Sequence, residues 1–392
     1  MLATLTTVAA MSMVQPTDPE TALFKAIVHD IGDARIVALG EAAHGDGSTF
    51  EMKARLIDYL HREHGFDVLA FESGLWSLDE AQADIDAGAV PSDALAGAIF
   101  PVWSKADQFA PTLALADAAA QGGAPFALAG FDFQPTGKDR ARVVDTMKTL
   151  AAESGEAGAP IAFLAETMAA MLAKPAEAMA SLDLDRLETE RAAAVERLEA
   201  SGRPDHAMEV RLVDSVARFL RFGKKMSQGM EAMTADEFNV RDRVMGDNLV
   251  ALATARYPDR KFILWGATSH FLKDRTAIDV ESAPNMIPMG AHVARALGDD
   301  YYVLAFTALG GQAGSLRRGP YGIGDALDET LEARTMRANP DRDAVFVGLP
   351  ACGGARQKVR ALGHAQWSGD WGCAIDGVVV LREMLPTTYG ND

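Results

Sequence analysis

The sequence predicts an α/β protein with a mostly parallel central sheet flanked by helices. Short apolar segments that suit buried strands alternate with segments of helical periodicity in the first and last thirds of the chain. The middle third has long runs of Ala, Leu, Met, Glu and Arg and little strand signal. Alternating strands and helices favour a parallel sheet covered on both faces. The middle third predicts a large helical cap or insertion.

Capping residues indicate the first helices. Asp18 followed by Pro19 predicts an N-cap with proline at the first helical position, and the helix should end at Gly32. A short apolar strand follows at residues 36–39. The run Ser-Thr-Phe-Glu at residues 48–51 matches a capping box and predicts a second helix that ends near Gly65.

Six further strands are expected from short apolar runs. They are residues 68–71, 126–130, 261–265, 302–306, 344–347 and 378–381. We therefore expect an α/β core at residues 18–133 and 259–390 that carries the active site, and a helical cap at residues 134–258. Residues 1–17 are expected to be a disordered leader.

The composition excludes several classes of partner. The chain has 37 basic and 55 acidic residues and a formal charge of −18, so binding to nucleic acid or an anionic membrane is not expected. Its 48% hydrophobic and 23% charged residues are typical of a soluble protein. We see no apolar stretch that approaches the roughly 20 residues of a membrane span. The expected partner is a small molecule, and the sequence is silent on oligomeric state.

The termini of the chain and its cysteines bear on localisation. Residues 1–13 are small and apolar but contain no basic residue, unlike a typical secretory signal. We expect a cytoplasmic protein, with export after trimming of a signal as the alternative. Cys352 and Cys373 are too few for a disulfide scaffold and lack zinc-ligand spacing. They are expected to be free thiols, or a single bridge if the protein is exported.

Glu41 and His44 follow the first predicted strand at once, in the run Leu-Gly-Glu-Ala-Ala-His-Gly. The carboxyl ends of parallel strands face the ligand crevice of an open α/β sheet, and histidine suits general-base work near neutral pH. Glu72, Asp132 and His270 likewise follow predicted strands. If these strands are parallel, the five groups share one edge and predict a common site.

Two cationic side chains fall on predicted buried helix faces. Lys53 lies in the apolar stripe of the second helix, so its ammonium needs a carboxylate such as Glu41 or Glu72 unless the side chain snorkels to water. Arg241 shares a face with apolar residues and needs a carboxylate or an anionic ligand. A salt bridge to Asp132 or Glu72 and substrate binding both remain open.

Other candidate groups carry less information. His206, His292 and His364 have no motif around them, and Cys352 lies in a glycine-rich loop without an evident catalytic partner. No Gly-x-Ser-x-Gly elbow occurs, which disfavours covalent serine catalysis. No dinucleotide or P-loop fingerprint occurs either, so we expect no organic cofactor.

Several motifs together resemble the erythromycin esterase family. They are Gly40-Glu41-Ala-Ala-His44-Gly45, Phe50-Glu51-x-Lys53, Gly65-Phe66 leading to Glu72, Gly130-Phe131-Asp132, Arg241-Asp242, the segment from Trp265 to His270, and Asp376-Gly377. They occur in the family's order and span nearly the whole chain.

The resemblance implies an α/β sheet with a helical cap and a deep cleft. It also implies hydrolysis of an ester or lactone by water activated on a histidine, without a covalent intermediate. On this basis His44 is the general base and Glu41 orients it, while Glu72 and His270 complete the catalytic site. The remaining candidates are expected to contact substrate. They are Lys53, Arg241, Asp132 and Trp103.

Two departures separate this chain from the macrolide-cleaving members. Ala267 and Thr268 stand where those enzymes have His and Asn. Lys53 stands where they commonly have arginine, which exchanges a bidentate fork for a point charge. Both departures weaken the inference that macrolides are the substrate more than the inference of hydrolysis.

Three alternatives remain open from the sequence. A divalent metal could be held by Glu41, His44, Glu72 and His270, since two histidines and two carboxylates are chemically suitable ligands. The same base could catalyse an elimination, isomerisation or cyclisation. The chain could also be a homologue that binds ligand without turnover. We expect a soluble hydrolase without a cofactor.

Overall fold

The computed structural model describes residues 18–138, 140–229, 233–280 and 286–390. Its strands are β1 (Ile36–Glu41), β2 (Phe66–Gly74), β3 (Ala127–Asp132), β4 (Lys261–Ala267), β5 (Tyr301–Ala308), β6 (Gln312–Ala313), β7 (Tyr321–Gly322), β8 (Ala344–Gly348), β9 (Gln357–Leu362), β10 (Ala365–Gly369) and β11 (Gly377–Leu381). Seven of them form one sheet in the order β3-β2-β4-β1-β5-β11-β8. The predicted leader, residues 1–17, lies outside the described residues.

The central sheet is parallel except at one edge. Each neighbouring pair from β3 to β11 is parallel, whereas β8 runs antiparallel to β11. Strands β1 and β11 are buried along their whole length, as expected for strands covered on both faces. The predicted mostly parallel α/β fold is confirmed. Two antiparallel pairs, β6–β7 and β9–β10, lie outside this sheet.

Helices cover the sheet and fill the middle of the chain. They are α1 (Pro19–Ile31), α2 (Gly47–His64), α3 (Leu75–Asp86), α4 (Pro91–Ala98), α5 (Pro101–Ser104), α6 (Ala110–Gln121), α7 (Arg142–Glu153), α8 (Gly158–Ala173), α9 (Pro175–Ser181), α10 (Leu184–Ala200), α11 (His206–Met226), α12 (Ala235–Ala251), α13 (Thr268–Phe271), α14 (Met289–Leu297) and α15 (Leu331–Ala338). Helices α7 to α12 follow one another without a strand in the described residues, within the stretch that the sequence assigned to a cap.

The middle helices have their own apolar core. Ile161 and Leu164 of α8 pack with Val213 and Leu220 of α11 in a cluster separate from the two clusters that flank the sheet. Helix α12 differs, because its Met245 belongs to a cluster beside the sheet. The helix α12 therefore links the helical region to the carboxyl edge of the sheet.

One helical stretch corrects the sequence-based statement about membrane spans. Gly155–Ala173 has 19 residues and a mean hydropathy of 1.2, so it is long and apolar enough to cross a bilayer by length and composition. Its buried side chains, among them Ile161 and Met168, pack in the core of the helical region. This packing is that of a core helix in a bundle.

The starts of the first two helices differ in how well the sequence predicted them. The Asp18 carboxylate accepts a hydrogen bond from the Thr21 amide at 3.2 Å, so this N-cap is confirmed. The predicted capping box of the second helix is wrong, because α2 already begins at Gly47 after Asp46. The Ser48 hydroxyl instead accepts from the Leu385 amide, at 2.8 Å, because the C-terminal segment lies beside this helix end.

The two cysteines form a disulfide, so the expectation of free thiols is wrong. Gly348 of β8 is paired with Gly377 of β11 in the antiparallel register. Cys352 follows the first glycine by four residues and Cys373 precedes the second by four, so the register brings them together. The sequence spacing did not reveal this because it did not show that β8 runs antiparallel.

We expect the Cys352→Ser/Cys373→Ser variant to be less stable than the wild type. Closing a loop of 21 residues removes chain entropy from the unfolded state, which corresponds to about 3 kcal/mol. Urea unfolding should show this loss. Dithiothreitol should lower the stability of the wild type to that of the variant and leave the variant unchanged. Equal stability of both proteins without reductant would contradict the prediction.

Candidate active site

Polar side chains from neighbouring strands meet at the carboxyl edge of the sheet. Glu41 is the last residue of β1 and Asp132 the last residue of β3. Glu72 lies within β2, two residues before its end, and His270 lies in α13 directly after β4. Since these strands are adjacent and parallel, their ends bring the four side chains to one place.

The Glu41 carboxylate is fully buried and has three side-chain partners. Its Oε2 accepts from the Lys53 ammonium, and its Oε1 accepts from the Trp103 indole N–H at 3.0 Å. His44 Nδ1 lies 3.1 Å from the same Oε1. Burial lowers the pKa of Lys53, although the charge of Glu41 opposes the shift. The carboxylate that Lys53 was predicted to need is thus Glu41.

His44 is oriented through one ring nitrogen and open at the other. Because a carboxylate can only accept, the Nδ1–H donates to Glu41, and Nε2 has no hydrogen-bond partner among the described residues. The side chain is 42% exposed, and its ring packs edge-on against Trp103 at a centroid distance of 5.2 Å. Burial lowers the pKa of His44, but the hydrogen bond to Glu41 and the charge of Glu72 outweigh it and raise the pKa above the usual histidine value.

Arg241 of α12 joins the ends of two strands. Its Nη2 donates to Asp132 Oδ2 at 2.7 Å and to Glu72 Oε1 at 3.0 Å. Glu72 Oε2 accepts from the Ala267 amide at 2.9 Å. Burial alone would raise the pKa of Glu72, but His270 and Arg241 hold it well below its usual range. The salt bridges that the sequence left open are therefore formed.

His270 lies between two carboxylates. Its Nδ1 is 2.7 Å from Asp242 Oδ1 and its Nε2 is 3.2 Å from Glu72 Oε1. Burial lowers its pKa, but Asp242 and Glu72 outweigh this effect and raise the pKa of His270 to about 10. Nε2 also lies 3.2 Å from Arg241 Nη1. With a proton on both ring nitrogens, this last contact joins two donors, so the ion pair with Glu72 takes precedence. His270 is therefore an imidazolium at neutral pH.

Asp242 is a site residue that the sequence-based candidates did not include. It is 4% exposed, and its Oδ1 also accepts from the Met289 amide at 3.0 Å. A signal was present, because Asp242 shares a helical face with the buried Met245 and Leu249. An acidic side chain on such a face needs a cationic partner.

The predicted substrate contacts are more deeply buried than that role suggests. Lys53 and Asp132 have no exposed surface and Trp103 has 1%. Their observed partners are Glu41 for Lys53 and Trp103, and Arg241 for Asp132. The Arg241 side chain is 21% exposed. Contact with substrate remains a prediction for all four.

The predicted metal ligands do not form a compact donor set. A metal site needs at least three ligand atoms close to one another. Among the described residues, no three of Glu41, His44, Glu72 and His270 have ligand atoms that all lie within 4.8 Å of one another. The two carboxylates are instead neutralised by Lys53 and by Arg241 with His270. The donor chemistry therefore fits an ion-pair network better than a divalent cation.

Two sizeable cavities lie away from this cluster. One of about 640 Å³ is lined by α11, α12 and α14, and one of about 580 Å³ by α10, α11 and α12. Neither is lined by His44. The His44 side chain is itself 42% exposed.

A sequence model of the erythromycin esterase family matches residues 61–372, which is most of the chain. The chain belongs to the erythromycin esterase family. The match begins after Glu41 and His44, so the geometry described above is the stronger evidence for that pair. The resemblance that the sequence motifs indicated is confirmed.

One relative of this erythromycin esterase family member has a low sequence identity. YbfO of Bacillus subtilis (strain 168), to which hydrolase activity is provisionally assigned, is 26% identical over 300 residues. The match covers 71% of this chain and 65% of YbfO, so it spans less than two thirds of that relative.

Solved structures share the fold over nearly the full chain. A Bacillus cereus protein superposes with a TM-score of 0.71 at 19% identity, covering 97% of this chain and 96% of the other. A variant of the erythromycin esterase EreC in its open conformation gives 0.70 at 18% identity, with 93% and 94% covered. A succinoglycan biosynthesis protein gives 0.70 at 16%, with 96% and 94% covered. These likenesses establish the fold.

We expect Lys53→Met to destabilise the protein strongly. The substitution leaves the buried Glu41 carboxylate without its cation, and breaking a buried ion pair from one side costs about 3–5 kcal/mol. Urea unfolding measures the change. Adding Glu41→Gln should restore much of the stability, because the uncompensated charge is then absent.

The matched control for this prediction is Arg62→Met, which breaks the exposed pair with Asp58. We expect it to cost less than about 1 kcal/mol. Comparable losses for Lys53→Met and Arg62→Met would show that the buried pair has no special weight.

We expect the stability of the protein to fall between neutral pH and pH 10 because of His270. Its pKa of about 10 in the folded state exceeds the value of about 6.5 in an unfolded chain. The stabilisation is complete below about pH 6.5 and is lost as the pH rises through about 10. The free energy of unfolding falls by at most about 1.4 kcal/mol per pH unit in this range. His270→Gln should flatten this part of the stability profile. Parallel profiles for the two proteins would contradict the assignment.

Proposed function

We propose that this protein is a hydrolase that cleaves an ester or lactone with water activated on His44. The observation that carries the proposal is the His44–Glu41 pair. One ring nitrogen is held by a buried carboxylate, and the other is free on a half-exposed ring. A base oriented in this way and open to a reactant is the arrangement that general-base catalysis needs.

Glu41 has the properties of an orienting group. It fixes the tautomer that carries the proton on Nδ1 and leaves the Nε2 lone pair for a water molecule. When His44 takes a proton from that water, the adjacent carboxylate stabilises the imidazolium. Lys53 pairs with the other oxygen of Glu41. Glu41 can therefore raise the pKa of His44 without being an unpaired charge in the core.

Water is the nucleophile in this proposal. Cys352, the cysteine in a glycine-rich loop, is bonded to Cys373 and has no thiolate to offer. The water molecule loses a proton to His44 Nε2 as its oxygen attacks the acyl carbon. The alkoxide leaving group then takes that proton, which leaves His44 neutral for the next cycle.

A cation near the base can stabilise the oxyanion that forms during attack. The candidates are Lys53, Arg241 and His270. Lys53 is fully buried against Glu41, which argues against direct contact. Arg241 and His270 are each within ion-pair distance of Glu72, and the charge of His270 also lowers the pKa of His44. We propose that these two cations stabilise the oxyanion.

The family and the hydrolase designation of YbfO support hydrolysis. The ester or lactone class is proposed from the family, whose name is that of an esterase. The disulfide further favours an oxidising compartment, so we propose that the protein is exported rather than cytoplasmic. Its partner is then a small ester or lactone outside the cytoplasm.

We expect His44→Ala to lower kcat/KM for any accepted ester by about 10²–10⁴-fold, the usual contribution of a general base. A screen of esters and lactones, macrolides included, identifies the substrate. Because the pKa of His44 is raised and catalysis needs the neutral ring, activity should rise with pH through a value above about 6.5. His29→Ala, at an exposed helix end, should leave activity unchanged.

Two further measurements separate this reaction from the alternatives. Solvent ¹⁸O should appear in the acid product, whereas an elimination or isomerisation would incorporate none. A chelator should leave the rate unchanged, whereas loss of activity that is restored by added cation would favour a metal-dependent enzyme. Full activity of His44→Ala would refute the proposed base.

A further inference from the structure

The loop that carries His44 is held in place by distant parts of the chain. Residues 42–46, which connect β1 to α2, form this histidine loop. The Gly363 amide donates to the Ala42 carbonyl at 3.0 Å. The amides of Gly314 and Thr387 both donate to the Gly45 carbonyl, at 2.7 Å and 2.9 Å. Three C-terminal segments therefore converge on five residues.

Asp46 ties the loop together from within. It is fully buried, and its Oδ2 accepts from the Ala43 amide at 2.9 Å, directly before His44. Its Oδ1 lies 2.8 Å from Nε2 of His364. Because a carboxylate can only accept, the N–H at this ring nitrogen donates the hydrogen bond. One carboxylate thus fixes the backbone next to the base and is itself fixed by a histidine 318 positions away.

The hairpin turn between β9 and β10 directs His364 to Asp46. Gly363 and His364 are its two central residues and have φ values of 59° and 58°, as a type I′ turn requires. The His364 side chain is 3% exposed, and its Nε2 is the ring nitrogen that meets Asp46.

We propose that Asp46 and His364 form a positioning pair that holds the His44 imidazole in its catalytic orientation. The inference rests on the proposed function of His44 as the base. Neither residue is exposed enough to meet a substrate, since Asp46 has no exposed surface and His364 has 6%. Both are therefore positioning residues and not catalytic residues.

The pair acts through the peptide that precedes His44. With the Ala43 amide held by Asp46, the backbone of the loop has one orientation, and the His44 ring meets Glu41. If the His364 contact is lost, Asp46 can turn away and the loop can shift. A displacement of about 1 Å at a reacting group lowers the rate by about 10²-fold. The substrate itself would still bind.

The deciding variant is His364→Gly. Glycine adopts the left-handed conformation found at this position without steric cost, so the turn itself should form as in the wild type. We expect a lower melting temperature, because the buried Asp46 carboxylate loses its partner. In the protein that remains folded we expect a kcat that is about 10–10²-fold lower on the ester found in the screen, and a KM within about twofold. A purely structural role would lower the stability in the same way but leave the kcat of the folded protein unchanged.

A double-mutant cycle tests whether the two residues act as a unit. Asp46→Ala removes the acceptor, and Asp46→Ala/His364→Gly should be no slower than Asp46→Ala alone. Multiplicative losses would show that His364 does not act through Asp46 and would overturn the proposal. If His364→Gly does not fold, His364→Asn replaces it, because Asn tolerates this conformation and its shorter amide does not reach Asp46.

Two controls separate failure of this inference from failure of the proposed function. Gln366→Ala alters the same hairpin at a side chain that accepts from the Leu327 amide, and it should keep the wild-type kcat. An inactive His44→Ala together with a fully active His364→Gly would overturn only the positioning pair. Full activity of His44→Ala would overturn the base and the pair together.

Discussion

The buried carboxylate of Glu41 is the constraint on which the site depends. A carboxylate without exposed surface is stable only with strong partners, and each partner here comes from a different element. Lys53 projects from α2, Trp103 from α5 and His44 from the loop between β1 and α2. Satisfying one charge therefore fixes two helices and a loop relative to the end of β1.

The site contains two histidines in different electrostatic surroundings, and both have a raised pKa. His270 has a carboxylate at each ring nitrogen and is 14% exposed, so it keeps its proton. His44 has a carboxylate at one nitrogen only and is 42% exposed. In the proposed reaction the same type of side chain thus serves as a fixed cation in one place and as a base in the other, which is how paired environments divide acid and base roles.

Local sequence patterns were sufficient for much of the sheet and for part of the site. Short apolar runs marked strands such as β1, and polar residues after four of these runs marked the edge where the polar side chains meet. Charged residues within apolar helix faces, Lys53 and Arg241, correctly indicated buried partners. These inferences depend on residues close together in the chain, where periodicity and burial cost act directly.

Contacts between distant segments could not be predicted in the same way. His364 and Asp46 are 318 positions apart and carry no shared pattern, and the pairing of Cys352 with Cys373 depends on the antiparallel direction of β8. The protonation of His270 depends on Asp242 from another helix. Each outcome requires knowledge of which elements are neighbours in space.

The separate apolar core of α8 and α11 has an evolutionary consequence. Substitutions among residues such as Leu164 and Val213 repack helices against helices and leave the partners of Glu41 untouched. The helical region can therefore change in sequence while the polar edge of the sheet is kept, and the side chains of α12 that bond to that edge, Arg241, Asp242 and Asn248, are the ones that join the two. If the proposed function holds, such a division lets one catalytic framework be adapted to different small molecules.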